Sequence, residues 1–414
     1  MPPFHTCPTQ HDFDAYSAAL GPVLRRELET LAATLNIDGL RQHISSLRDI
    51  AFTVSNIDPD GDPLMGGFNI HLPVVFADGV EWLVRISRQQ VHRPPAALHR
   101  AVLESEISTL RFLHRAGFPV PEVYDVQFDE PTVLGVPFFI YEKMGGEPWN
   151  FDDATRTQFV SQYASFMIQL SQHSFPCLGS LSTDNGKVGP VLDPDFIESN
   201  DTTFARVGPF ISSQQYYRHI IRGVLQDIRD SRRYISHTLD GYLVFLQLLD
   251  ITDMLFSVKS KTAQFFIKHP DDKGDNFLVD DEGNLIAAID WENTRTYSPE
   301  EAFAGPTFTI NTTDFFAGVS TLSTEETILA NTLRSLGRSD LATYVDNGKK
   351  YQFFQFCLGS YGVDRLDEFW PLFKALLKEG GLGDWNTWTE WKAHALKVYE
   401  RDHFIKGLRA RAQA

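Results

Sequence analysis

Apolar residues recur every three or four positions in LGPVLRRELETLAATL and predict a helix within the first forty-odd residues. After Asp62 the period shortens. FNIHLPVVF and VEWLVRIS lie on either side of Ala77-Asp78-Gly79. β-Branched and aromatic runs around an Asp-Gly turn predict a β-hairpin. From Pro95 to Ala116 the spacing returns to three and four and stops at Gly117, ahead of two prolines. That is the pattern of an amphipathic helix with a defined end. VPEVYDVQF and VPFFIYEKM supply two further strands, closed by Gly145-Gly146. The order to this point is strand, strand, helix, strand, strand.

Helical periodicity then takes over. TRTQFVSQYASFMIQLSQH and the long run QQYYRHIIRGVLQDIRDSRRYISHTLDGYLVFLQLLDITDMLF both read as helix, separated by a Gly-, Pro- and Asp-rich stretch from Pro176 to Pro209. A loop of that length inside a compact domain is more often functional than filler. NFLVD and NLIAAID are two short strands around Asp281-Glu282-Gly283, and the chain from Glu325 onward is helical and rich in Phe and Trp. The expected class is α+β, with a β-rich unit over 1–145 and a mainly helical unit over 146–414.

Composition narrows the partners. The chain has 414 residues, and 37 Lys+Arg against 54 Asp+Glu leave a formal charge of −17. A nucleic-acid backbone or an anionic membrane demands clustered cations, so neither is expected as a partner. A cationic small molecule is compatible with the balance. Cys7, Cys177 and Cys357 form no CxxC pair, which excludes a disulfide framework and points to a reducing compartment. The N-terminal residues show no basic and apolar leader pattern, and no apolar run approaches the ~20 residues of a membrane span. A soluble, cytoplasmic protein is the expectation; oligomeric state is not legible.

The chemistry concentrates in KHPDDKGDNFLVDDEGNLIAAIDWE, residues 268–292. His269, Asp271 and Asn276 stand in an H-x-D-x-x-x-x-N spacing before a strand, and Asp290 ends the strand one hairpin later. Phosphoryl transfer needs one carboxylate near the attacking hydroxyl, and a second carboxylate with an amide oxygen to hold Mg²⁺ on the phosphates. Residues at neighbouring strand ends can supply all three. Asp280-Asp281-Glu282-Gly283, by contrast, reads as a solvated turn.

This run resembles the aminoglycoside phosphotransferase and choline kinase group, in particular a branch of fungal phosphotransferase enzyme family proteins. The resemblance covers roughly residues 50 to 310. It implies a two-lobed, protein-kinase-like fold with a small β-rich first lobe and a larger, mainly helical second lobe. It also implies ATP and Mg²⁺ as cofactors and a hydroxyl of a small molecule as acceptor, with an amine-bearing metabolite or xenobiotic among the candidates. Asp271 would be the catalytic carboxylate, His269 the support of its loop, and Asn276 and Asp290 the metal ligands. In the first lobe Gly66-Gly67-Phe68-Asn69 would cover the phosphates and Arg85 would neutralise them. Glu106 in ESEISTLRFL would be the helix carboxylate that pairs Arg85. Backbone groups from Glu142 to Met144 would meet the adenine edge. Two positions depart from the family pattern in the second lobe, Pro270 for the usual Gly and a lone Glu292 where a second carboxylate is common. In the first lobe, Arg85 replaces the usual Lys, a planar fork in place of a compact charge.

Other signals fall away. Asp58-Pro-Asp60-Gly-Asp62 opens like a calcium loop, but Pro63 and Asn69 stand where glycine and a bidentate Glu belong. HExxH, GxSxG and GxxxxGK[ST] do not occur. Neither His92/His99 nor His394/His403 reads as a ligand pair, and Trp385, Trp388 and Trp391 read as a packed helix face. Two alternatives to a small-molecule kinase stay open: a silent nucleotide-binding or interaction protein on the same fold, and a protein kinase. Against the latter, Asp290 reaches Pro299 without a recognisable activation segment.

Overall fold

The computed structural model describes residues 10–61, 63–88, 94–151, 153–194, 196–197, 202–256, 264–359 and 362–413. Cys7, Asp62 and His92 lie outside them. The chain divides into two compact units, one built from 1–100, 110–145 and 200–202, the other from 101–109, 146–199 and 203–414. The α+β class expected from the sequence is the one found.

The first unit opens with helices α1 (Gln10–Thr34) and α2 (Ile37–Leu47). Its five-stranded antiparallel sheet comprises β1 (Phe52–Val54), β2 (Asn69–Phe76), β3 (Glu81–Ser87), β4 (Val123–Gln127) and β5 (Phe138–Glu142), in the order β1-β2-β3-β5-β4. β2 and β3 pair from Asn69↔Ser87 to Val75↔Glu81 around Gly79, whose φ of 86° is the left-handed turn that the Asp-Gly pair predicts. Successive strand residues face opposite ways. Ile70, Leu72, Val74 and Phe76 therefore share one face with Trp82, Val84 and Ile86, and they pack in one core with Leu28, Leu31, Leu40 and Ile44 of the two helices. His71 and Arg85, opposite each other in the ladder, belong to the other face. α3 (Ala96–Arg115) joins β3 to β4 and stops where Gly117 takes a φ of 79°.

In the second unit β6 (Glu147–Pro148) leads to α4 (Asp153–Leu170), β7 (Ser174–Phe175), α5 (Ser213–Arg229) and α6 (Thr238–Leu255). The helical run from 214 to 256 divides into two helices, α5 and α6. Ser231 and Tyr234 adopt left-handed backbone (φ 58° and 52°) and break it. Next come β8 (Phe265–Ile267), β9 (Phe277–Val279), β10 (Leu285–Ala288) and β11 (Thr296–Tyr297). They form two small sheets, β10-β9-β6 and β11-β8-β7. α7 (Pro299–Ala302), α8 (Thr312–Phe316), α9 (Thr324–Ser335), α10 (Ser339–Asp346), α11 (Lys349–Gly359), α12 (Leu366–Glu379), α13 (Trp388–Val398) and α14 (His403–Gln413) complete it. Trp391 is fully buried, with its ring 4.6 Å from Trp388 and 5.0 Å from Phe373, as the packed-face reading requires. Trp385 precedes α13 and instead meets His394 at 5.1 Å.

Glu301 organises this unit's interior. Its buried carboxylate accepts hydrogen bonds from Ser213 Oγ (3.0 Å), Ser298 Oγ (2.8 Å), Gln355 Nε2 (3.0 Å) and the Tyr217 hydroxyl. Four donors from α5, α11 and the start of α7 meet on one charge. Among the described residues no helix is long and apolar enough to cross a membrane.

Candidate active site

β8 is buried at all three positions and delivers the chain to His269, itself only 1% exposed. The imidazole Nδ1 accepts the backbone N–H of Asp271 (3.2 Å), which leaves the ring proton on Nε2 to be donated to the carbonyl of Ile289 (2.7 Å). Phe277 and Trp291 flank the ring at 5.2 and 4.6 Å. Burial lowers the pKa of His269 below its ordinary value, and the nearby carboxylates of Asp272, Asp290 and Asp271 oppose that only in part. It is a neutral bolt between the Asp271 loop and the strand that ends at Asp290. Pro270 costs this arrangement nothing, because the bonds use the N–H of Asp271 and the side chain of His269.

The β9–β10 ladder puts the next two residues side by side. Ala288 pairs with Phe277, so the residues just outside the ladder meet: Ile289 N–H donates to Asn276 O at 2.9 Å. Asn276 commits its side-chain nitrogen to Asp271, donating to the backbone oxygen (3.0 Å) and to Oδ2 (3.2 Å). Its amide oxygen is the end left for a cation. Asp290 is exposed at the strand end with a φ of 61°, a left-handed conformation that Asp tolerates better than most residues and that gathers at functional sites. Trp291 anchors the turn from below, donating from Nε1 to Ala288 O at 3.0 Å.

Asp271, Asn276, His269 and Asp290 thus converge at one end of one hairpin. An amide oxygen and an exposed carboxylate fit a hard cation that takes few protein ligands and completes its shell with phosphate and water, as Mg²⁺ does. Among the described residues no cluster of three or more His, Cys, Asp or Glu could hold a metal alone.

Two nearby residues escaped the sequence reading. Lys273 sits 2.9 Å from Asp271 Oδ2 and 3.6 Å from Asp275, and its pKa is raised, first by the hydrogen bond to Asp271. It is a half-exposed cation beside the candidate catalytic carboxylate. Asp272 faces inward. Its Oδ1 accepts from Thr307 N (2.9 Å) and its Oδ2 pairs with Lys268 (3.2 Å), clamping the loop's other flank. The Asp272–Thr307 bond spans 35 positions, so the local run PDDKGD carries no sign of it.

In the first unit, Gly66-Gly67-Phe68-Asn69 forms a turn into β2 that the Met65↔Ile70 bridge closes, with Gly66 N–H donating to Asn69 O at 2.9 Å. β1, which the sequence reading missed, makes this turn part of a β1–β2 connection. Arg85 is 5% exposed, 5.3 Å over the ring of Phe139 and opposite His71. Burial, and then the Arg85 charge, push the His71 pKa down to about 4. Glu106, in the 101–109 segment of α3 that belongs to the second unit, is buried. At the end of β5 the N–H groups of Glu142 and Lys143 are already donated to Glu122 O (2.9 Å) and Glu81 O (3.1 Å). Met144 is the first residue past that bonding.

A phosphotransferase enzyme family model matches residues 74–304, more than half of the chain. No curated protein matches it. An ethanolamine kinase from Plasmodium vivax is 14% identical, with coverage of 85% of this chain and 82% of that one and a TM-score of 0.44. A thermostable mutant aminoglycoside phosphotransferase in ternary complex with ADP and hygromycin B is 15% identical, with coverage of 83% and 98% and a TM-score of 0.42. The GDP complex of an aminoglycoside 2'-phosphotransferase mutant is 17% identical, with coverage of 83% and 97% and a TM-score of 0.43.

Proposed function

The chain belongs to the phosphotransferase enzyme family, and from that premise we propose that it is an ATP- and Mg²⁺-dependent kinase of a small-molecule hydroxyl. The observation that carries the reading is the single hydrogen-bonded set joining Asp271, His269, Asn276 and Ile289 beside Asp290. Asp271 orients the acceptor hydroxyl and takes its proton as the oxygen bonds to the γ-phosphorus and the bond to ADP breaks. His269 keeps the Asp271 backbone fixed, which matters because catalysis of this kind is mostly positioning. Asn276 and Asp290 would hold Mg²⁺, which when bound neutralises phosphate charge. Lys273 would exchange its pairing with Asp271 for the phosphoryl oxygens. In the first unit, the Gly66–Asn69 turn and Arg85 would serve the nucleotide's phosphates and Met144 the adenine edge; Glu106 of α3 would be the helix carboxylate. A net charge of −17 is compatible with an amine-bearing metabolite or xenobiotic as acceptor.

Thermal-shift titration with ATP, with and without Mg²⁺, tests the nucleotide half of the reading. A ligand at a hundred times its dissociation constant adds about 2.7 kcal/mol. Wild type should shift by a few degrees in a Mg²⁺-dependent way, and Asp290→Ala should lose that shift. Asp271→Asn should keep it and lose turnover by orders of magnitude in an ADP-release screen of hydroxyl compounds. No shift under any condition would favour a silent protein on this fold, and normal turnover by Asp271→Asn would refute the assigned role.

A further inference from the structure

Arg88 follows β3, outside every motif the sequence offers, and is nearly buried at 9% exposure. Its guanidinium is divided between two tasks. Nε and Nη2 donate to Glu27 Oε2 of α1 at 3.3 and 3.0 Å, and Glu27 is itself buried. Nη1 donates to the carbonyls of Gly66 and Gly67 at 3.3 and 3.0 Å. The Arg88 backbone N–H takes the next carbonyl, that of Phe68, at 2.8 Å. Three successive carbonyls of the glycine turn are thus drawn onto one residue.

The peptide group is trans and planar, so its N–H points opposite to its C=O. With the oxygens of Gly66 and Gly67 held on the cation, the N–H groups of Gly67 and Phe68 point away from it. Both residues are exposed, and among the described residues neither N–H has a partner. Two adjacent outward donors, polarised from behind by a guanidinium, suit the oxygens of an anion. Because the cation is neutralised by Glu27, it contributes orientation rather than a net charge.

We propose that Arg88, held by Glu27 of the N-terminal helix, is a positioning residue that aims the Gly67 and Phe68 amides at a nucleotide's phosphates. This rests on the reading that places the turn at the phosphates, and makes α1 part of the nucleotide affinity of the enzyme. Arg88 must be Arg, since a lysine ammonium cannot span a carboxylate and two carbonyls with a fixed fork.

The test uses the full chain. Dissociation constants for Mg-ADP and for adenosine are measured on wild type, Arg88→Lys and Glu27→Gln, with amide exchange at Gly67 and Phe68 read with and without Mg-ADP. Wild type should show both amides protected by Mg-ADP. Both variants should bind Mg-ADP about tenfold more weakly, the loss of roughly one charge-assisted bond, and adenosine within twofold of wild type. A merely structural role would weaken both ligands alike. If Arg88→Lys unfolds, Glu27→Gln, which keeps the side-chain shape, decides the matter. Protection in wild type with unchanged Mg-ADP affinity in the variants would overturn the role of Arg88. Tight Mg-ADP binding without protection of the two amides would overturn the placement of the turn itself, and the proposal with it.

Discussion

Gly274 lies between Asp271 and Asn276 with a φ of 114°, a region that side-chain-bearing residues rarely enter. Gly274→Ala is expected to damage stability and chemistry together. Holding an L-residue there costs about 1–3 kcal/mol. The new Cβ would stand 2.6 Å from Phe151 Cζ and 3.3 Å from Trp149 Cε3. The Phe151 ring is partly exposed and can swing aside, but only by giving up its contact with Trp149 at 4.6 Å, worth about 1 kcal/mol. The sum is about 2–4 kcal/mol. With an unfolding entropy of roughly 2 cal/mol/K per residue over the second unit, Tm should fall by about 3–7 °C. Turnover should fall further than the folded fraction does, because Gly274 O receives the Phe277 N–H at 3.0 Å and so sets where Asn276 begins. Displacements of about 1 Å at such sites cost on the order of a hundredfold. Gly223→Ala is the matched control: it sits inside α5, its added Cβ would meet no atom within 4 Å, and the variant should gain about 0.5–1 kcal/mol. Differential scanning calorimetry reads both. A Gly274→Ala protein that melts and turns over like wild type would refute the loop conformation on which the site assignment stands.

Two further outcomes follow from buried polar groups. Glu301→Gln removes the charge on which four donors meet: an amide nitrogen on the Tyr217 side would face the Gln355 amide nitrogen, and on the other side it would oblige the Ser213 and Ser298 hydroxyls to accept instead of donate; a loss of about 1–3 kcal/mol is expected by thermal or urea unfolding. His71 has a folded pKa near 4 against about 6.5 when unfolded. Below pH 6.5 the unfolded chain binds a proton that the folded chain refuses, so stability present above pH 6.5 is lost as the pH falls toward 4, by up to about 3 kcal/mol. His71→Gln should flatten that part of the Tm profile, and an unchanged slope would contradict the half-buried, neutral ring.

What the sequence could show follows the range of the interactions. The hairpin at Gly79, the stop of α3 at Gly117 and the H-x-D-x-x-x-x-N run are all written in residues within a few positions of each other. The hydrogen bonds that assemble His269, Asp271 and Asn276 span two and five residues, so the motif and its geometry coincide. β1 is three residues long, and β6, β7 and β11 two each, too short for any alternation to register. The break between α5 and α6 carries neither Gly nor Pro; SRRY bends because Ser231 and Tyr234 take left-handed backbone, which composition does not announce. Arg88 and Glu27 are 61 positions apart, and their hold on the glycine turn exists only once the sheet and α1 have come together.

The outermost strands of the first sheet bear on how this protein behaves in a crowded solution. A free strand edge is a template for another chain, and long, flat edges seed aggregation. Here one border is β1, only three residues long, and the other is β4, whose pairing with β5 slips register between Val123 and Asp125. Neither offers a regular row of donors and acceptors for a visiting strand to copy. The central strands, with their long apolar runs, are spared that exposure, and the sheet's guard against self-association is built into the geometry of its backbone.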